Sequence, residues 1–235
     1  MKDVKITTMN WKIESIPIFE DNFVFILYKG HEAIVVDPGE SLVVETFLTQ
    51  NDLRLKKILI THHHPDHVDG VMDLKKKNPD CELFYPRGEK LTLSSEGVNL
   101  IDLNQKIIHS NLKIQAIDLS GHTKGQIGYY FPELHILFSG DALFALGCGR
   151  VFDGTLEDLY QTIQRIKILP LETKIYCAHD YFEKNKKFHN SQKLNVEDYE
   201  VEYPLKLEKE LKFNGFLKAD NFNEFKRLRL ERNKA

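Results

Sequence analysis

Short apolar runs rich in Val, Ile and Phe recur along the chain, at 23–28, 33–36, 57–60, 113–117, 135–138 and 174–177, each bounded by turn-forming residues. Runs this short, with β-branched and aromatic side chains, predict buried strands. The clearest helical pattern begins at Thr155: Leu156, Leu159, Ile163 and Ile166 share one face, Asp158 stands at capping-box spacing, and Pro170 closes the segment. The class is therefore mixed α and β. From residue 185 onward the chain turns rich in Lys, Glu and Asn, with helical but weakly apolar patterning. That change predicts a main domain over 1–182 and a small helical extension over 183–235. No internal repeat or low-complexity linker separates them, which points to two packed parts of one unit.

With 42% hydrophobic and 29% charged residues among 235, the chain has apolar material for one full core and a small appendage. No run approaches the roughly 18 apolar residues a membrane helix needs, and residues 1–5 lack the apolar block of a signal peptide. A cytoplasmic protein with no membrane partner is expected. Cys81, Cys148 and Cys177 are odd in number and lack metal-finger spacing, so reduced, packed thiols are expected rather than a disulfide framework. A formal net charge of -3 argues against a nucleic-acid partner, although Lys226, Arg227, Arg229, Arg232 and Lys234 make the C-terminal stretch locally basic.

The segment Thr61-His62-His63-His64-Pro65-Asp66-His67 gathers three imidazoles and a carboxylate, besides His63, directly after a predicted strand. Buried imidazoles and carboxylates are costly unless paired or coordinated, so this density points to metal. In an extended backbone His62 and His64 point the same way, His63 turns away toward a packing or supporting role, and Asp66 and His67 diverge toward a second centre. His122, Asp141 and His179 each follow another predicted strand by a few residues, where loops gather catalytic groups. Five histidines and two aspartates suffice for two metals sharing one carboxylate. His31, His109, His135 and His189 lack ligand-like neighbours and are expected to be ordinary polar residues. Asp37, before Pro38-Gly39, suits either a turn or the orientation of a ligand histidine, and it stays outside the ligand set.

The H-x-H-x-D-H pattern with downstream His122, Asp141 and His179 resembles the motif set of the metallo-β-lactamase superfamily, which implies a four-layer αββα sandwich. The resemblance implies one metal held by His62, His64 and His122, a second by Asp66, His67 and His179, and Asp141 bridging both. Within the superfamily, Gly140-Asp141-Ala142-Leu143-Phe144 followed by Gly147-Cys148-Gly149-Arg150-Val151-Phe152-Asp153-Gly154-Thr155 resembles glyoxalase II after its bridging aspartate. That similarity implies glutathione contacts from Arg150 and Phe152; His179-Asp180-Tyr181 and the basic segment 225–232 resemble the same family, which implies a glutathione contact from Tyr181 and pairing of the glycine carboxylate by Arg229 and Arg232. It also implies that residues 183–235 form a shortened substrate-binding extension, and that Asp69 adds a carboxylate near the cleft where the family has glycine.

The implied activity is hydrolysis of a 2-hydroxyacylglutathione, S-D-lactoylglutathione foremost, to glutathione and D-lactate, the second step of methylglyoxal detoxification, by a monomer carrying two divalent metals. Zinc is the first expectation, with iron and manganese also suited to these donors. Paired cations bring a bound water toward a pKa of roughly 7, supplying hydroxide. Asp66 is expected to orient that hydroxide while also serving as a ligand, and Asp141 to hold the metals at fixed separation. The leading alternative is a glutathione persulfide dioxygenase of the same fold with a single iron. A metal-dependent nuclease and a non-catalytic binding module rank lower.

Overall fold

In the computed structural model, which describes residues 10–235, alternation along the strands sorts apolar side chains into two opposite cores. The first sheet runs β1 (Lys12–Ile18), β2 (Asn22–Lys29), β3 (Glu32–Val36), β4 (Arg54–Leu59), β5 (Glu82–Pro86) and β6 (Val98–Ile101) in spatial order. The second contains β7 (Lys106–His109), β8 (Leu112–Asp118), β9 (Ile127–Phe131) and β10 (Ile136–Gly140). After β10 comes a short hairpin of β11 (Leu143–Phe144) and β12 (Gly147–Cys148). Then β13 (Lys174–Cys177) pairs parallel to β10, and β14 (Leu205–Lys206) closes that edge. The stretch 1–5, read above for a leader, lies outside the described residues. No helix among the described residues is long and apolar enough to cross a membrane.

Because successive strand residues face opposite sides, Phe25, Leu27, Ile34 and Val36 meet Ile114, Tyr129, Phe131 and Phe138 of the second sheet in one cluster. Their neighbours Val24, Ile26, Ala33 and Val35 face outward instead. There they are covered by α1 (Ser41–Gln50) and α3 (Val71–Lys77), with the single turn α2 (Pro65–Val68) between these helices in sequence. On the outer face of the second sheet, Leu137 and Tyr130 join Leu159, Ile163 and Ile166 of α4 (Leu156–Lys167). The result is the four-layer αββα sandwich. The Thr155 hydroxyl caps α4, accepting from Asp158 N–H at 3.0 Å.

The C-terminal segment comprises α5 (Phe182–Ser191), α6 (Leu207–Phe213), α7 (Gly215–Lys218) and α8 (Phe222–Arg232). It shares one hydrophobic cluster with α4 and the second sheet, and it contributes β14 to that sheet. The division expected after residue 182 therefore falls inside a continuous core. His189 was expected as an ordinary polar residue; it is fully buried, bonding Asn185 O through Nδ1 and accepting from Gly215 N–H through Nε2. His109 is buried too, edge-on to Trp11.

This segment holds the hairpin loop that leads away from Asp141. Asn185 Nδ2 donates to Ala145 O at 2.9 Å, Asn214 Nδ2 to Gly147 O at 3.1 Å, and Arg229 Nη1 to Cys148 O at 2.6 Å. Leu146, fully buried with a left-handed φ of 52°, donates its N–H to Glu210 Oε2 at 3.0 Å. Side chains from three helices thus supply the hydrogen bonds that this irregular backbone cannot make to itself.

Burial pushes the Glu210 carboxyl up from 4.5 to about 6, despite bonds from Tyr199, Asn214 and Leu146. An acid whose folded pKa exceeds its unfolded one holds its extra proton between those values. The stabilisation is therefore full below the unfolded pKa and lost as pH rises through the folded one. A shift of this size is worth about 2 kcal/mol. Glu210→Gln keeps an oxygen for Leu146 and Asn214 while removing the ionisation. The stability difference between variant and wild type, from urea unfolding, is expected to move by about 2 kcal/mol in favour of the variant between pH 4 and 8. A difference independent of pH would refute the raised carboxyl pKa.

Candidate metal centre

The donors come from loops following strands of both sheets. The 61–67 loop and α2 leave β4 of the first sheet, the His122 loop joins β8 to β9, Asp141 follows β10, and His179 follows β13. Gly140 permits the approach: its φ is 49°, and a Cβ there would lie 2.6 Å from Thr61 Oγ1. All seven residues expected as ligands converge. His62, His64 and His122 form one group whose donor atoms lie within 4.8 Å of one another, and Asp66, His67 and His179 form a second.

In the first group, His64 Nδ1 lies 3.1 Å from both His62 Nε2 and His122 Nε2. In the second, Asp66 Oδ2 is 3.5 Å from His67 Nε2 and 3.4 Å from His179 Nε2. Asp141 stands between them: Oδ1 is 3.4 Å from His67 Nε2 and 3.4 Å from His179 Nε2, while Oδ2 is 3.4 Å from His122 Nε2. These separations approach those of donors sharing a cation about 2 Å away. His67 Nε2 and Asp141 Oδ1 are buried without a hydrogen-bond partner, which is costly for a protein alone and fits coordination. The residues present fit divalent metal binding.

In four of these histidines the other ring nitrogen faces a group that can accept. His122 Nδ1 donates to Arg150 O at 2.7 Å, and a carbonyl can only accept, so Nε2 presents its lone pair to the centre. His179 Nδ1 faces Asp21 at 3.0 Å, and His67 Nδ1 faces Asp37 at 3.0 Å. Asp37 also accepts from Thr61 N–H and Thr61 Oγ1, both at 2.7 Å, and Thr61 Oγ1 lies 3.0 Å from His62 Nδ1. Asp37 thus meets both geometric expectations: it has a left-handed φ of 51° at a turn and stands against His67, one of the expected ligands. Sequence reasoning missed Asn22, whose Nδ2 donates to Asp66 Oδ2 at 2.6 Å, and assigned no role to Asp21. Asp21 stands directly ahead of β2 and Asn22 opens it, and no ligand-like spacing marks either.

The electrostatics divide the site. Burial, then the neighbouring His67, holds His62 well below the usual imidazole value; burial also lowers His64 and His122. Burial opposes charge on His67 and His179 as well, but Asp37 and Asp141 raise the first to about 10, and Asp141 and Asp66 raise the second to about 11. Burial works against the charged form of Asp141, yet His179 and His122 keep its carboxyl well below its normal range. Cations that bind here take the place of imidazole protons, so uptake releases protons.

A cavity of about 450 Å³ opens over the donors, lined among others by Arg150, Phe152, Tyr181, Asn185 and Arg232. The Phe152 ring stands edge-on to the rings of His64 and His122, 5.0 Å from each, and Tyr181 stacks on His179 at 4.8 Å. Arg232 Nε donates to Asn185 Oδ1 at 3.0 Å, and no hydrogen bond engages its two terminal nitrogens among the described residues. Arg229 is placed differently from Arg232. It touches the cavity but is buried, with Nη1 donating to Cys148 O and Gly149 O and Nη2 to Asn233. Burial pushes the Cys148 thiol up to about 11, leaving it neutral and in keeping with a packing role. Asp69 lines a neighbouring groove with His63 and Met72, which shares His64 with the cleft.

A family model described as the metallo-beta-lactamase superfamily matches residues 19–179. A protein of Prochlorococcus marinus named hydroxyacylglutathione hydrolase is 32% identical over 239 residues, covering 92% of this chain and 91% of that protein. One of the same name from Bdellovibrio bacteriovorus is 37% identical over 250 residues, covering 94% and 97%. Among solved structures, ETHE1 from Myxococcus xanthus superposes with a TM-score of 0.75 at 22% identity, covering 94% of this chain and 91% of that one, a likeness of fold. The chain therefore belongs to the metallo-beta-lactamase superfamily and, within it, to the family of the hydroxyacylglutathione hydrolases.

Proposed function

We propose that this chain hydrolyses 2-hydroxyacylglutathione thioesters, S-D-lactoylglutathione foremost, to glutathione and the hydroxy acid, with two divalent cations, zinc first, as its cofactors. The observation that carries the reading is Asp141, whose two oxygens face two separate donor sets at 3.4 Å. A single-metal chemistry would leave Asp66 and His67 without a task. When bound, paired cations polarise the thioester carbonyl and bring water toward a pKa of roughly 7. The substrate comes from the family: relatives matched over nine-tenths of their length carry that name.

The protein's own groups supply the rest. His62, His64 and His122 would hold one cation and Asp66, His67 and His179 the other, with Asp141 setting their separation. Asp66 is fixed by Asn22, leaving a carboxylate edge that orients the attacking water by accepting its hydrogen. The departing thiol has a pKa near 8.5, so it leaves as thiolate with little need of an acid. Above the donors, Phe152 walls the cavity beside His64 and His122, and the Tyr181 phenol, kept neutral by burial and by nearby Asp141, is a donor for the peptide backbone. Arg150 and Arg232 present guanidinium groups suited to carboxylates, and residues 183–235 serve as the binding extension.

Replacing the bridging carboxylate tests the reaction. Asp141→Asn is expected to cut hydrolysis of S-D-lactoylglutathione by roughly 100-fold or more and to lower the metal content of the same samples. Chelator treatment of the wild type should abolish turnover and added zinc should restore it. Fully metal-loaded wild type that leaves this thioester untouched would overturn the substrate assignment.

The two C-terminal arginines are expected to behave differently. Arg232→Ala should raise KM by roughly 10-fold with little change in kcat or thermal midpoint, as for the loss of a charge-assisted contact made equally in ground and transition states. Arg229→Ala should lower the thermal midpoint, because it strips hydrogen bonds from the Cys148 and Gly149 carbonyls. Steady-state kinetics beside thermal melts checks both, and an Arg232 variant with wild-type KM would remove that residue from the substrate site.

A further inference from the structure

Glu89 lies three residues beyond β5, in Arg87-Gly88-Glu89, a stretch that no motif marks. Its carboxylate is almost wholly buried, with 1% of the side chain exposed, and it is fully used. Oε1 accepts from Thr123 Oγ1 at 2.6 Å and from Gly125 N–H at 2.8 Å. Oε2 accepts from His63 N–H at 3.3 Å and pairs with the His63 ring through Nδ1.

Those four donors belong to two loops from different sheets. His63 lies between His62 and His64, on the loop that leaves the first sheet. Thr123 follows His122 directly, on the loop that joins two strands of the second. Every member of the His62, His64 and His122 group is therefore a chain neighbour of a residue that Glu89 holds. The Thr123 loop also packs directly on the segment that carries Glu89: a Cβ on Gly125 would lie 2.1 Å from the Gly88 carbonyl carbon. Only a carboxylate accepts four such bonds, since an amide would turn its NH2 toward donors on one side.

We propose that Glu89 is a positioning residue for the first donor set, a clamp between sheets that fixes the distance between His64 and His122 through His63 and Thr123. It touches no donor atom itself. Its effect is to hold a preformed three-imidazole site, so that binding a cation requires no rearrangement of the two loops. The inference rests on metal binding by this cluster and is independent of the substrate.

The test is zinc affinity of the metal-stripped protein, by competition with a chromophoric chelator, for wild type, Glu89→Gln and Thr123→Val. Ile163→Val in the core beneath α4 serves as a destabilised control that leaves the clamp intact. Both clamp variants are expected to bind zinc at one of the resolved steps roughly 10- to 100-fold less tightly, the range typical for lost outer partners of metal ligands. The visible absorption of the cobalt-loaded forms should change with them, while the control keeps wild-type affinity and spectrum. Affinities within twofold of wild type in both clamp variants, or a loss no greater than that of Ile163→Val, would overturn the proposal. If Glu89→Gln fails to fold, Thr123→Val decides alone, because it removes one hydroxyl and leaves the carboxylate three donors.

Discussion

Asp141 sits where two groups of imidazoles would otherwise face one another across a buried space. With Oδ1 toward His67 and His179 and Oδ2 toward His122, it is the one negative group that both donor sets share. Its position is not adjustable. Gly140 before it adopts a left-handed conformation against Thr61, and Gly149 packs so closely on the Asp141 carbonyl that a Cβ would come within 2.1 Å of that oxygen. The two-residue strands of the hairpin after it, β11 and β12, pair only with each other, and side chains of the C-terminal segment bond further backbone groups there. The C-terminal helices exist in their present form because that loop needs Asn185, Glu210, Asn214 and Arg229 to complete its hydrogen bonds.

This dependence changes the meaning of the basic C-terminal stretch. In sequence, Arg229 and Arg232 are equivalent cations one helical turn apart, and similarity to glyoxalase II implies the same task for both. In the fold they face different needs. Arg229 points at the Cys148 and Gly149 carbonyls and is buried. Arg232 spends one nitrogen on Asn185 and keeps its fork toward the cavity. A charge pattern locates a basic helix but cannot divide its members between internal and external partners, because that division depends on which backbone arrives beneath it.

The strands and the donors were legible for a common reason: each is written in consecutive or regularly spaced residues. The runs at 33–36, 113–117 and 174–177 became β3, β8 and β13, and Thr155 opened α4. Strands lacking that clarity went unread. β1 mixes charge and Pro17 into its alternation, and β6 has Asn99 and Leu100 exposed between its ends. β9 is buried at every position, which removes the alternation altogether. Within the site, the seven expected donors lie in dense or recurrent settings, whereas Asp21, Asn22 and Glu89 are polar residues outside any such setting, with partners 26 to 158 positions distant. Their function is a property of the tertiary meeting point.

The supporting groups also explain how the protein tolerates so many ionisable residues in one place. Asp21 and Asp37 each stand against an imidazole, while Asp37 and Glu89 also accept from backbone N–H groups. Fixing one nitrogen of a ring fixes the direction of the other, so the carboxylates do for the imidazoles what the hairpin contacts do for Asp141. They pay the ordering entropy during folding, before any cation arrives. A site built this way trades polar burial in the folded chain for donors that need not search for their geometry, which accounts for the rigid, two-sheet scaffold around a reaction requiring so few residues to touch the substrate.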